Sequence, residues 1–170
     1  MRWIWIDRIL ELERGRRCVT IKNVSAAEDV LHDHFPATDN RPAMPVMPNP
    51  LIIEGMAQTA GIMVGHAGDF KEKVILAKIT KAVFTDAARP GYTLRHTAEM
   101  DNYSQAGAST TGKTELIDPH TGDIKPLAEI TLMFSHIDHN MAGLAFPEHN
   151  FVFTGQLMEM LEASGFKSHG

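Results

Sequence analysis

A chain of 170 residues has the length of one ordinary domain. Its apolar share of 44% and charged share of 22% supply a real hydrophobic core and exclude a globally disordered chain. With 16 Lys plus Arg against 21 Asp plus Glu, the net charge is -5 and no basic run occurs, so nucleic acid is not an expected partner.

Near the N-terminus, Asp7, Arg8, Glu11 and Glu13 interrupt the apolar core that a secretory signal requires. Cys18 is the only cysteine, so no internal disulfide forms, and it reads as a small apolar filler. A cytoplasmic protein is the expectation. Val19, Ile21 and Val24 alternate with polar residues and predict a half-buried strand over Val19 to Val24. Asp33 to Pro50 then holds five prolines, each removing a backbone donor and restricting its predecessor, which predicts an irregular but well-fixed loop.

Asn49 is a favoured N-cap, and Pro50 suits the first turn of a helix. Leu51 to Val64 are apolar nearly all round, the pattern of a helix enclosed by protein and too short for a membrane span of about 20 apolar residues. Gly65 and Gly68 offer C-terminal stops. The period then changes to two. Tyr92, Leu94, His96, Ala98 and Met100 share one face of a strand, and Val74 to Phe84, Ser104 to Ile117 and Leu127 to Ile137 read as further strands. Asp118 to Gly122 is a turn. An antiparallel sheet wrapped around one helix, an α+β domain, is the expected architecture. We assign residues 1–140 to this domain and residues 141–170 to a C-terminal extension, in which Thr154 caps a short docked helix that packs through Leu157, Met158 and Leu161.

Glu54 is the most informative anomaly, because an unpartnered carboxylate inside an apolar helix costs several kcal/mol. Either Glu54 shares a solvated stripe with Gln58, its i+4 neighbour, or it is a carboxyl kept available as a proton donor. The second signal is His34 on the loop before the helix, since imidazole is the commonest general base. His32 and His34 form a His-x-His pair, but no third and fourth ligand stand at metal spacing, so no metal is expected. The third is the junction Met47-Pro48-Asn49-Pro50, where free N–H groups and the positive end of a helix dipole can stabilise an oxyanion. Base, acid and oxyanion site together suit proton abstraction α to a carbonyl with loss or gain of a β-hydroxyl.

The segments His34-Phe35-Pro36, Pro45-Val46-Met47-Pro48 and Leu51-Ile52-Ile53-Glu54-Gly55-Met56-Ala57-Gln58 resemble the active-site segments of FabZ-type 3-hydroxyacyl-[acyl-carrier-protein] dehydratases. The likeness extends through Asp7-Arg8-Ile9-Leu10 and Lys22-Asn23-Val24-Ser25 upstream, and through Ala77 to Phe84 and Arg89-Pro90-Gly91 downstream. It implies a hotdog fold whose protomers pair their sheets into a homodimer or a trimer of dimers, with the His and Glu of one site supplied by opposite protomers. It also implies that His34 removes the C2 proton of a 3-hydroxyacyl thioester and Glu54 protonates the leaving hydroxyl, with Asn49, Gln58 and Phe35 binding substrate. Glu at position 54, where the dehydratase/isomerase branch carries Asp, points to dehydration without isomerisation. No cofactor is implied.

Three departures stand out. His34 and Glu54 lie 20 positions apart, further than in the family pattern, with the extra residues in Ala37 to Pro42. Asn49-Pro50 replaces Gly and usually Val, so Asn49 supplies the main donor at the helix start. Val83-Phe84-Thr85-Asp86 lacks the basic residues that dock an acidic carrier protein, which leaves open a different carrier, a coenzyme A thioester or a basic patch elsewhere on the surface. The competing readings are a hotdog thioesterase or enoyl hydratase, and a noncatalytic subunit that binds an acyl chain.

Overall fold

In the computed structural model of the protein, the described residues are 3–32, 34–137, 152–153 and 155–166. The first elements are β1 (Arg8–Glu13) and β2 (Arg17–Asn23), a tight antiparallel hairpin. Strand β1 was not expected from alternation, because a register shift between Ile9 and Glu11 buries Ile9 and leaves Leu10 outside. A single helical turn, α1 (Asp29–His32), follows.

Helix α2 (Asn49–Ala67) is the central element, and Ile52, Met56, Ala60, Ile62, Met63 and Val64 are wholly buried along it. Its N-cap is Pro48, not Asn49 as the sequence suggested. The Pro48 carbonyl accepts the Leu51 and Ile52 N–H groups at 2.9 and 3.3 Å, so the first turn closes on Pro48, and the Asn49 side chain makes no capping bond. Gly68 is the C-cap, while Gly65, expected as a stop, lies inside the helix.

Beyond it come β3 (Val74–Phe84), β4 (Thr93–Ser104), β5 (Gly107–Ile117) and β6 (Ile124–His136). All six strands pair antiparallel in one sheet of order β1-β2-β4-β5-β6-β3, and α2 packs against β2 through β6. Leu94, His96 and Ala98 face inward, the alternation read from the sequence. Strand β6 begins earlier than Leu127 because a register irregularity between Thr114 and Glu115 accommodates Pro126 within the ladder. The expected turn is present, with Asp118 N–H bonded to the Asp123 carbonyl at 2.9 Å.

Strand β3 is the exception to half-burial. It lies at an edge of the sheet, only Val74 is buried, and Leu76, Ile79 and Val83 are 38%, 45% and 48% exposed. At the other edge α3 (Gly155–Ala163) packs on β1: Leu161 is wholly buried, and Ile9 N–H donates to Ser164 Oγ at 3.1 Å. Thr154, expected as its cap, lies outside the described residues.

Candidate active site

The proline-rich segment before α2 is ordered by backbone pairing. Phe35 and Met44 exchange two hydrogen bonds at 2.8 and 2.9 Å, and Thr38 bridges Arg41 beyond them, so the inserted residues Ala37 to Pro42 form the tip of a small hairpin rather than an irregular loop. The Arg41 guanidinium lies 5.2 Å over the Phe35 ring. His34 is held twice by Val46: its carbonyl accepts the Val46 N–H at 2.9 Å, and its Nδ1–H donates to the Val46 carbonyl at 2.9 Å. A carbonyl only accepts, so this bond fixes the tautomer of neutral His34 and leaves Nε2 with its lone pair. The Phe35 ring stacks on the imidazole at 4.1 Å and is 40% exposed.

Glu54 sits one turn into α2. Its Oε1 accepts from Trp3 Nε1 at 3.1 Å and from Gln58 Nε2 at 3.0 Å, while Oε2 has no hydrogen-bond partner among the described residues. Gln58 also accepts the Trp5 N–H at 2.8 Å and donates to the Trp3 carbonyl at 3.1 Å. The i+4 pairing of Glu54 with Gln58 was legible in the sequence, but the indole donor was missed. Its trace there is Trp3-Ile4-Trp5, whose period-two spacing brings the two indoles together edge-on at 5.6 Å.

Glu54 and Gln58 form the polar end of a cavity of about 430 Å³. Ala57, Gly61 and Ile62 of α2, Val74 of β3 and Phe134 of β6 make its apolar wall. The fold therefore brings Glu54 and Gln58 together on one cavity, whereas His34 and Phe35 are not on its lining. Asn49 is exposed at the first turn, where Pro50 carries no N–H and the Leu51 and Ile52 donors are spent on Pro48. The Asn49 N–H has no acceptor among the described residues.

Two further titratable groups, His96 and Cys18, lie in the core outside the cavity lining. His96 is wholly buried, shares a 2.9 Å hydrogen bond with Thr114 Oγ1, and is pushed by burial down to about 3, so its ring is neutral near pH 7. Burial raises the Cys18 thiol to about 12, which keeps it protonated and inert. Among the described residues no group of three or more His, Cys, Asp or Glu is placed to hold a metal, and no helix is long and apolar enough to cross a membrane.

Comparison with known proteins bears on the family of the chain. A protein-family model described as a FabA-like domain matches residues 3–116. The 3-hydroxyacyl-[acyl-carrier-protein] dehydratase FabZ of Caldanaerobacter subterraneus is 46% identical over 90 residues, 52% of this chain and 60% of that protein. The FabZ of Fusobacterium nucleatum is 36% identical over 118 residues, 68% of this chain and 78% of its own. Against the first of these, the chain spans about three fifths of the relative's length. Among solved structures, a thioesterase family protein from Silicibacter pomeroyi superposes with a TM-score of 0.60 at 14% identity, covering 75% of this chain and 82% of that one. An acyl-CoA hydrolase mutant from Staphylococcus aureus gives 0.54 at 16%, covering 73% and 68%. At such identities these two establish the fold, a hotdog, and nothing more. The matched domain and the relatives together make the chain a member of the FabA-like family, on its FabZ side.

Proposed function

We propose that the protein dehydrates 3-hydroxyacyl thioesters to trans-2-enoyl thioesters in acyl-chain biosynthesis. One observation carries the reading: Glu54 stands at the polar end of an apolar cavity with Oε1 committed to two donors and Oε2 unpartnered. Two donors on Oε1 direct the acidic proton to Oε2, the oxygen open to a substrate hydroxyl. His34 Nε2 takes the C2 proton, the electron pair left behind forms the C2–C3 double bond, and the C3 hydroxyl departs as water with the proton from Glu54 Oε2. The Asn49 N–H at the positive end of α2 polarises the thioester carbonyl as the α-carbon loses its proton. Phe35 and Gln58 complete the binding surface, through its exposed ring and its hold on Glu54 respectively.

His34 does not line the cavity that contains Glu54, so the reading pairs Glu54 with His34 of a second protomer. The exposed apolar edge strand β3 is the surface on which two such chains would continue one sheet, in a dimer or a trimer of dimers. The acyl group arrives on a carrier protein or on coenzyme A. A cytoplasmic setting goes with this reading.

The test is turnover of 3-hydroxybutyryl thioesters, on acyl carrier protein and on coenzyme A, followed by enoyl absorbance. Glu54→Gln and His34→Ala should each lose at least about 100-fold in kcat while keeping the folded oligomer. Release of free thiol without enoyl product would show a thioesterase instead. Binding without turnover on either carrier would leave an acyl-binding subunit.

A further inference from the structure

On α2, Glu54, Gln58, Gly61 and Gly65 stand at i, i+4, i+7 and i+11, so one stripe runs about 16 Å from the carboxylate to Gly65. The first three line the cavity, which is polar where the stripe begins and, apart from Gln156, apolar beyond. An amphipathic ligand with a reacting head and a hydrocarbon tail matches that layout, and its tail would travel toward Gly65.

What it meets there comes from the C-terminal segment. The Phe153 ring rests on Gly65 so closely that a Cβ at that position would stand 2.3 Å from its Cζ, and it meets the Phe70 ring edge-on at 5.0 Å. Val152, Gln156 and Leu157 share the cavity wall with it. Phe153 is only 8% exposed and belongs to the hydrophobic core, so the ring is a packed stop and not a loose flap. Val152, Phe153, Gln156 and Leu157 lie beyond the stretch 3–116 matched by the family model.

We propose that Phe153, with Leu157 beside it, is the end wall that sets the longest acyl chain the cavity accepts. The inference rests on the reading of this cavity as the acyl site. Each methylene added to a bound chain gains contact while apolar space remains. Once the tail reaches the phenyl ring, a longer chain must lift Phe153 off Gly65 and Phe70, and affinity falls. Gly61 offers the opposite control, because a side chain there would enter the cavity midway, with Phe134 Cε1 3.8 Å from its Cβ as the nearest neighbour.

The experiment uses the full chain and acyl-pantetheine amides from butyryl to dodecanoyl, which can be neither dehydrated nor hydrolysed, with binding followed by calorimetry. Affinity should rise with length and then break. Phe153→Ala should move the break to longer chains and tighten the first chain beyond the original limit about tenfold, roughly the worth of two buried methylenes. Gly61→Val should move it to shorter ones, and Phe153→Leu should fall between wild type and Phe153→Ala, serving also if the alanine variant does not fold. A break that stays in place in the folded Phe153 variants overturns the end wall. Enoyl formation from the matching 3-hydroxyacyl series is scored separately, so a shifted break without turnover would sink the dehydratase reading and leave the end wall standing.

Discussion

Glu54, Gln58 and His34 stand out in the sequence because each violates its surroundings: two polar groups in an apolar helix, and an imidazole among prolines. The bonds that set their geometry were not legible, since Trp3 reaches Glu54 across 51 positions and His34 is fixed by a backbone carbonyl. Sequence pattern records residue type, and neither bond depends on a local period. His96 carries the clearest pH consequence at this scale. Its folded value is lowered from 6.5 to about 3 by burial, so between those limits the unfolded chain binds a proton that the folded chain refuses. Its contribution to stability is therefore intact above pH 6.5 and is lost as the pH falls toward 3, at up to about 1.4 kcal/mol per pH unit. His96→Gln, which does not titrate and can still bond Thr114, should show a shallower decline of denaturation midpoint between pH 6.5 and 4 than the wild type. Parallel curves would assign the acid sensitivity to other groups.

Among the elements, α2 and the strands with strict alternation were readable, because burial on one face writes itself into a period of two or 3.6. Strand β1 and the hairpin before α2 were hidden for opposite reasons: a register shift breaks the alternation of β1, and the hairpin is held by backbone bonds between residues that show no pattern at all. How closely α2 lies on the sheet was equally invisible. A Cβ on Gly55 would sit 2.8 Å from His96 Nε2 and 2.9 Å from the Trp5 carbonyl oxygen, so the helix approaches both as only glycine allows. Gly55→Ala gains about 1 kcal/mol of helix propensity but meets an overpacking cost of about 1–3 kcal/mol. Its melting temperature should fall, whereas that of Gly61→Ala, with 3.8 Å of clearance, should not. Equal shifts in the two variants, read by thermal unfolding, would contradict this picture of the packing.

At the scale of the whole molecule, the fold class was legible, and the resemblance already implied that the His34 and Glu54 of one site come from opposite chains; within one chain His34 does not line the Glu54 cavity. That separation makes a quantitative prediction. If each site draws His34 from one chain and Glu54 from the other, refolding equal amounts of His34→Ala and Glu54→Gln together should regenerate activity, because half the dimers then carry one intact site. About a quarter of wild-type turnover is expected. Activity no greater than that of the two separate variants would mean that both groups act within a single chain.

The cavity also has a place in the history of the chain. Trp3 and Leu157 both line it, and the bond between Ile9 and Ser164, 155 positions apart, docks α3 beside β1. Contacts of such separation form late, after the entropy of closing the long intervening segment has been met. During synthesis, Glu54 and Gln58 leave the ribosome long before the segment that shuts the far end of their cavity. The newborn domain thus passes through a stage in which this apolar floor lacks its C-terminal wall, which is complete only when helix α3 docks.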